Sequence, residues 1–220
     1  LMDKHGRVTS HISGLFYRNI NLLVDGLKPI FVFDGKPAEM KKEELERRKE
    51  LKIAAQEKYD KAKESGNIEE MRRYSQQFVK IDDAIIAESK ELLDALGIPV
   101  VQALGEGEAE AAMLVRNGDA WASASQDYDS LLYATPRLIR NLTLARRRKT
   151  SAGTYVEVKP EMIDFENLSN HLQINKDQLI CLGILVGTDF NPGGVRGIGQ
   201  KRALEVVQKY QYPVKIFEYI

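Results

Sequence analysis

The stretch Pro29–Gly35, PIFVFDG, decides the fold class because four apolar residues lead directly into an acid and a glycine. The run from Ile30 to Phe33 is short and consists of β-branched and aromatic residues, which predicts a buried strand. Asp34 then lies at the carboxyl end of that strand. In open α/β sheets this edge is where ligands bind. The stretch therefore predicts an α/β fold that presents a carboxylate at the edge of its sheet.

A second acidic motif follows a similar apolar segment. Residues 98–103 predict a strand, and the sequence Gly-Glu-Gly-Glu that follows opens a helix extending to about Arg116. This places Glu106 and Glu108 at the start of the helix. Acidic residues at that position are common simply because they complement the helix dipole, so taken alone both would be capping residues.

The remaining acids lie after a weaker strand and in a polar turn. Residues 119–125 predict a strand rich in Ala and Ser, which ends just before Asp127 and Asp129, whereas Asp189 lies in the turn VGTDFNPGG. In an extended segment, side chains two residues apart point to one face, which would put Asp127 beside Asp129. Adjacent carboxylates repel each other unless a cation lies between them. The oxygen-only set predicts a site for Mg²⁺ or Mn²⁺ rather than for zinc.

Charged helices are predicted between the first two strands. Residues 9–27 carry apolar side chains at helical spacing and end at a glycine, as expected of a core-packing helix. Residues 37–63 are rich in Lys, Glu and Arg and predict a poorly anchored helix, and residues 68–96 predict a second, more apolar one. This pair could form an arch or lid over a site, or an ordinary solvated helical hairpin.

The carboxyl-terminal part predicts a helix, a glycine-rich loop and another helix. The helices span residues 176–186 and 200–210, and the loop between them contains RGIGQKR. Such an element can present backbone N–H groups to one DNA phosphate, with basic side chains adding charge. A simple helix-hairpin turn is the alternative. The candidate phosphate-contacting residues are Gly197, Gly199, Lys201 and Arg202.

Composition limits the class of protein further. The 220 residues, 43% of them hydrophobic, suffice for one substantial core, and 32 basic residues balance 32 acidic ones. The single cysteine, Cys181, excludes an intrachain disulfide and is expected in the core. No apolar run approaches the roughly 20 residues that span a bilayer, and no signal peptide is visible, so an intracellular protein without a membrane partner is expected.

One segment is strongly basic although the chain as a whole is neutral. No acidic residue occurs between Ser130 and Val156. The basic residues of this segment are Arg137, Arg140, Arg146, Arg147, Arg148 and Lys149. Two interpretations stay open, a solvated basic loop and a surface that faces nucleic-acid phosphates.

Four motifs in order, FVFDGKP, GEGEAE, SQDYDSLL and GTDFNPGGVRGIGQKRA, closely resemble the structure-specific 5′ nucleases, in particular the archaeal flap endonucleases. The resemblance runs over essentially the whole chain. It implies a central, mostly parallel sheet flanked by helices, in a single nuclease domain over residues 1–220. It also implies a helical arch within residues 37–96 and a helix-two-turn-helix DNA-binding element over residues 176–210.

The resemblance also implies a role for each candidate residue. Two divalent ions, Mg²⁺ or Mn²⁺, would be held by Asp34, Glu106, Glu108, Asp127, Asp129 and Asp189. Lys41 and Arg48 would steer the scissile phosphate, and their spacing of seven positions places them on one helical face. The glycine-loop residues would contact duplex DNA, where family members often hold a K⁺ ion.

The family pattern contains segments that this sequence does not include. An N-terminal segment with the first strand, the N-terminal glycine and one further metal-binding aspartate is expected, and without it the metal site would be incomplete. The tail that binds the sliding clamp would follow Ile220. The expected partner of this chain is therefore branched or flapped DNA, and a monomer is expected.

Three other functions compete with the flap endonuclease. A 5′ exonuclease or junction nuclease of the same superfamily would share the carboxylates, and a junction protein that binds without cutting is a further alternative. A phosphatase with an Asp-x-Asp nucleophile would need its motif at the first strand. Here Asp127 and Asp129 come far along the chain, and that function would leave Asp34, Glu106 and Glu108 unexplained.

Overall fold

The chain separates into two compact units. The computed structural model describes residues 9–75, 77, 81–142, 147–149 and 153–220. The first unit comprises residues 1–29 and 38–100, and the second comprises residues 30–37 and 101–220. The single nuclease domain stays a prediction, and each unit is described by itself.

The first unit is helical. Its helices are α1 (Ser10–Val24), α2 (Lys42–Glu64), α3 (Ile68–Ser75) and α4 (Asp83–Ala95), with a 3₁₀ turn at Glu39–Lys41 before α2. The structure confirms the helices predicted over residues 9–27 and 37–63. The single helix predicted over residues 68–96 is wrong, because two helices occupy this range. Asp82 starts the second one, since its Oδ1 accepts a hydrogen bond of 2.9 Å from the Ile85 N–H and so caps the helix.

Helix α2 buries very little apolar surface. Its buried residues are Glu44, Ala55 and Ala62, while Leu51 and Ile53 are more than half exposed. It packs along α3 as a helical hairpin. By contrast α1 packs on α4, where Leu22 and Leu93 are buried. The solvated character expected of the charged helix is confirmed, and the arch stays a prediction.

The second unit contains most of the strands, which are short. They are β1 (Phe31–Phe33), β2 (Val100–Gln102, which begins at the last residue of the first unit), β3 (Ser123–Ala124), β4 (Arg137–Arg140), β5 (Arg147–Lys149), β6 (Tyr155–Glu157) and β7 (Glu161–Asp164). In the described part of the chain they form three small sheets, β1-β2, β3-β4-β7 and β5-β6. Strand β4 runs parallel to β3 and antiparallel to β7.

Two sequence predictions on these strands need correction. The strand predicted over residues 119–125 shortens to Ser123–Ala124, because Gly118 ends the preceding helix in the left-handed conformation, at φ 86°, and residues 119–121 bend. The interpretation of the basic segment as a solvated loop is also wrong in part, because residues 137–140 and 147–149 are paired strands. Arg146 lies outside the described residues.

Helices form the core of the second unit. They are α5 (Gly107–Asn117), α6 (Asp129–Leu132), α7 (Phe165–Leu172), α8 (Lys176–Val186), α9 (Gln200–Tyr210) and α10 (Pro213–Tyr219). Leu138, Leu185, Val207 and Ile216 are fully buried between them. Cys181 lies in the same core, as predicted, and burial raises the pKa of its thiol. None of the described helices is long and apolar enough to cross a membrane.

The predicted bounds of α8 and α9 are confirmed. Asn175 and Gln178 form a capping box at the start of α8, in which each side chain accepts a 2.9 Å hydrogen bond from the backbone N–H of the other. The Gln178 Nε2 also donates to the Val207 carbonyl oxygen at 2.6 Å. The same side chain thus starts α8 and ties it to α9.

Gly35 allows two backbone segments to meet behind β1. Its N–H donates to the Gly105 carbonyl oxygen at 2.7 Å. A Cβ atom at position 35 would lie 2.3 Å from the Ala103 carbonyl oxygen and 2.5 Å from the Leu104 carbonyl carbon. Those are backbone atoms, which cannot swing aside as the end of a side chain can. The position therefore requires glycine.

We expect Gly35→Ala to lower the free energy of unfolding by about 1–3 kcal/mol, the usual range for forcing an extra carbon into packed structure. Urea denaturation followed by circular dichroism measures this. Gly105→Ala is the matched control, because a Cβ at position 105 would meet nothing within 4 Å. Equal stability of the two variants would contradict the close approach.

Candidate metal centre

Asp34 is oriented by the first peptide of α5. The Gly107 N–H donates to Asp34 Oδ1 at 2.7 Å, so a helix N-terminus faces the carboxylate. A Cβ at position 107 would lie 2.9 Å from that oxygen, which leaves no room for a side chain. The backbone is held as well, because Gln102 Nε2 donates to the Asp34 carbonyl oxygen at 2.8 Å. Asp34 is therefore fixed at both its backbone and its carboxylate.

The two glutamates of α5 lie where the helix begins. Glu106 occupies the N-cap position, but its side chain accepts no hydrogen bond from the first turn. Glu108 lies in the first turn, where its charge complements the helix dipole, as the sequence suggested. Its Oε1 also accepts a 2.5 Å hydrogen bond from the Ser125 hydroxyl, just past β3, so Glu108 faces the next acidic segment as well.

Ser125 connects that glutamate to the next acid. While its hydroxyl donates to Glu108, its oxygen accepts a hydrogen bond of 3.1 Å from the Asp127 N–H. Residues 126–128 bend and Asp129 begins α6, so the predicted extended alternation of Asp127 and Asp129 is wrong. Asp127 is exposed and Asp129 half-buried.

Asp189 lies in a tightly built turn after α8. The Thr188 hydroxyl donates to Asn191 Oδ1 at 2.9 Å, and Asn191 Nδ2 donates back to the Ile184 carbonyl oxygen at 2.7 Å. Helix α8 packs against α6, the helix that begins with Asp129. A Cβ at Gly183 would lie 3.2 Å from the Leu132 side chain. Asp129 thus begins a helix that packs against α8, and Asp189 lies in the turn that follows α8.

We call Asp34, Glu106, Glu108, Asp127, Asp129 and Asp189 the acidic rim. All of them belong to the second unit. Within the residues that the structure describes, no three His, Cys, Asp or Glu side chains converge closely enough to hold one ion. Mg²⁺ uses one or two carboxylates directly and keeps several waters, so a spread set of oxygens suits it better than zinc. Metal binding by the rim stays a prediction.

Arg140, one of the basic residues of the strongly basic segment, has a role at this site that the sequence did not predict. Its Nε donates to the Gln126 carbonyl oxygen at 3.1 Å, and its guanidinium lies 4.1 Å from the centre of the Tyr128 ring. Its Nη1 donates to the Tyr128 hydroxyl and lies 3.7 Å from Glu161 Oε2. Arg140 therefore holds the turn that carries Asp127.

Arg137, three residues earlier on β4, makes similar contacts. Its Nε donates to the Trp121 carbonyl oxygen at 2.8 Å, and its guanidinium lies 4.8 Å from the Trp121 ring centre. Both arginines of β4 thus hold the segment that leads into the acids. In the sequence, the aromatic residues at positions 121 and 128 were a signal for these arginine contacts. The contacts form because the pairing of β4 with β3 brings the two segments together.

The predicted phosphate-contacting residues lie in or just before two helices, α2 and α9. Lys41 ends the 3₁₀ turn, at the N-cap position of α2, and Arg48 lies within α2, with its Nε donating to Glu44 Oε1 at 2.7 Å. Both belong to the first unit. In the second unit, Gly199 is the N-cap residue of α9, and Lys201 and Arg202 are exposed in its first turn. Gly197 precedes them with a φ of 83°, which favours glycine.

Two regions of the chain match models of one protein family. The XPG N-terminal domain matches residues 2–55, and the XPG I-region matches residues 97–189. Flap endonuclease 1 of Saccharolobus solfataricus is 55% identical over 220 residues, which are 100% of this chain and 63% of that protein. The chain thus spans less than two thirds of the length of this relative.

Solved structures show the same fold. Flap endonuclease-1 from Methanococcus jannaschii superposes with a TM-score of 0.71 at 38% identity, covering 100% of this chain and 65% of its own. The catalytic core of Rad2 in complex with DNA substrate gives 0.71 at 25% identity, covering 96% and 56%. The predicted α/β class is confirmed, and the fold is that of the structure-specific 5′ nucleases. With its two matched regions, this chain belongs to the XPG family.

We expect Arg140→Met to loosen the turn that carries Asp127 while the core stays folded. A hydrogen bond to a charged group contributes about 1.5–3 kcal/mol, so backbone amide exchange at residues 127 and 128 should accelerate about 10-fold or more. Hydrogen exchange followed by NMR measures this. In the matched control, Arg137→Met, the faster exchange should stay near Trp121. Unchanged exchange at 127 and 128 in Arg140→Met would contradict the bracing role.

Proposed function

We propose that this chain is the nuclease part of a structure-specific 5′ flap endonuclease, which hydrolyses a phosphodiester bond at the base of a 5′ flap in DNA replication and repair. The observation that carries the proposal is the acidic rim, in which α5 orients Asp34 and joins Glu108 through Ser125 to Asp127. Membership of the XPG family and the identity to flap endonuclease 1 support it.

The residues of the rim fit a divalent cation. Their donors are carboxylate oxygens, the ligands that Mg²⁺ and Mn²⁺ prefer. A peptide N–H donates a hydrogen bond to Asp34 and a hydroxyl donates one to Glu108, and these contacts orient the two carboxylates. The rim would hold two Mg²⁺ ions, and these would stabilise negative charge on the reacting phosphate. Asp129, at the start of α6, and Asp189, in the turn after α8, would complete the set.

The basic residues would position the DNA. Lys41 and Arg48 would attract the scissile phosphate, and the exposed N-terminus of α9 would bind a phosphate of the duplex through backbone N–H groups. Lys201 and Arg202 add charge there, and K⁺ would bind in the preceding loop. The Rad2 core has been solved with DNA substrate, which supports DNA as the partner, and branched DNA is inferred from the flap endonuclease resemblance. From that resemblance we also infer sliding-clamp binding and a monomer.

The test of the nuclease is Mg²⁺-dependent cleavage of a labelled double-flap DNA by this chain, and by the chain with the ends of its relatives added. We expect Asp129→Ala and Asp189→Ala to reduce turnover by more than about 100-fold, since even outer-shell partners of a metal are worth 10–100-fold. Binding measured in Ca²⁺ should change little, because these acids serve the chemistry.

Asp119→Ala is the matched control for these variants, since Asp119 is exposed and lies just before the rim segment. It should cut normally. Unchanged turnover in either rim variant would contradict the assignment of these acids. Tight binding of flapped DNA with no cleavage by any form would favour a binding-only junction protein.

The contact of α9 with duplex DNA has its own test. Replacing both Lys201 and Arg202 with Ala should reduce the magnitude of the slope of log affinity against log salt concentration by about two. Each lost phosphate contact reduces this slope by about one. Fluorescence anisotropy at several salt concentrations measures the slope. The double variant Lys209→Ala with Lys215→Ala removes the same charge from exposed positions farther along the chain and should keep the original slope. Equal slopes in both double variants would remove α9 from the interface.

A further inference from the structure

Glu44 is a buried acid on a solvated helix. Its neighbours on α2, Glu43 and Glu46, are exposed, whereas Glu44 retains only 5% of its accessible surface. The helix buries almost no apolar residues that could account for this. Two basic side chains of the same helix, Arg47 and Arg48, donate hydrogen bonds to Glu44, and we call them the arginine pair.

The arginine pair occupies both oxygens of the Glu44 carboxylate. Arg47 Nε donates to Oε2 at 2.7 Å and Arg47 Nη2 donates to Oε1 at 2.7 Å, which is the bidentate fork that matches a carboxylate. Arg48 Nε donates to Oε1 at 2.7 Å. These hydrogen bonds, from Arg47 first and then Arg48, lower the pKa of Glu44 to about 2. The carboxylate is therefore charged at any pH at which the protein works.

The two arginines are not equivalent towards Glu44. If Arg48 moves away, each carboxylate oxygen still accepts a hydrogen bond from Arg47. If Arg47 moves away, Oε2 loses the hydrogen bond described for it, and only Oε1 keeps one, from Arg48. Loss of Arg47 would leave the shielded Oε2 without a donor, which is unfavourable. Loss of Arg48 would remove only one of the two donors to Oε1, which costs less. The geometry favours release of Arg48 and retention of Arg47.

We propose that Glu44 is a positioning residue that retains Arg47 on α2 and yields Arg48 to a phosphate of the DNA. This inference rests on the proposed function, which gives Arg48 a phosphate to bind. A phosphate can replace the carboxylate because both present oxygens in the geometry that a guanidinium fork matches. Glu44 thus determines which of two adjacent arginines reaches the substrate, although both have the same charge and reach.

The proposal predicts a difference between the two arginines in solution. In ¹⁵N-labelled protein, the Nε–H signals of the arginine pair can be assigned with Arg47→Lys and Arg48→Lys. On titration with inorganic phosphate, and then with flapped DNA in Ca²⁺, the Arg48 signal should shift and the Arg47 signal should stay in place. Shifts of equal size at both arginines, or a shift at Arg47 alone, would overturn the proposal.

Two variants test Glu44 itself. Glu44→Gln removes the charged acceptor, so both signals should shift with phosphate and the affinity for DNA should rise about threefold above that of Glu46→Gln. The latter variant changes the same charge at an exposed position of the same helix. Arg47→Lys replaces the fork by a point charge, so Glu44 should hold Arg48 more firmly and the Arg48 shift should need more phosphate. Equal DNA affinity of the two glutamine variants, with α2 still helical by circular dichroism, would overturn the proposal.

These results are separable from a failure of the proposed nuclease. A selective Arg48 shift with inorganic phosphate supports the positioning role even if no DNA is cut. Normal cleavage without a selective shift would overturn the positioning role and leave the nuclease standing.

Discussion

The hydrogen bond from the Gly107 N–H to the Asp34 carboxylate is the contact on which the rest of the site depends. It forms only because Gly35 lets the chain after β1 lie directly against residues 103–105, and because position 107 carries no side chain. The same turn of α5 then aims Glu108 at Ser125. The motif Gly-Glu-Gly-Glu at the start of α5, which in sequence is typical of helix capping, therefore connects the segment of Asp34 to the segment of Ser125 and Asp127.

Around that connection, neutral donors orient the acids, and arginines hold the backbone that carries them. A peptide N–H donates to Asp34 and a hydroxyl donates to Glu108. Arg140 acts on a carbonyl oxygen and an aromatic ring at the Asp127 turn. On α2, by contrast, the arginine pair donates hydrogen bonds to an acid, Glu44.

Features with local signals could be predicted from the sequence, and features created by distant pairing could not. The bounds of α8 and α9 follow from the glycine-rich loop between them, and the position of Asp34 after β1 follows from an apolar run. The brace by Arg140 depends on β4 lying beside β3, and the bend at residues 126–128 overrides the alternation of a strand. The hydrogen bonds of Glu44 to Arg47 and Arg48 join residues three and four positions apart on one helix, a spacing that could have suggested them.

The central claim, that the acidic rim binds divalent metal, is tested most directly by Mn²⁺ titration of ¹⁵N-labelled protein, in which the bound ion broadens nearby amide signals. The account predicts early broadening at residues 34, 106–108, 127, 129 and 189, reversed by excess Mg²⁺. The amide signals of exposed glutamates on α2 should broaden only at much higher Mn²⁺ concentration. These glutamates are Glu43, Glu46 and Glu50. Broadening that began on α2, or spread evenly over exposed acids, would contradict the account.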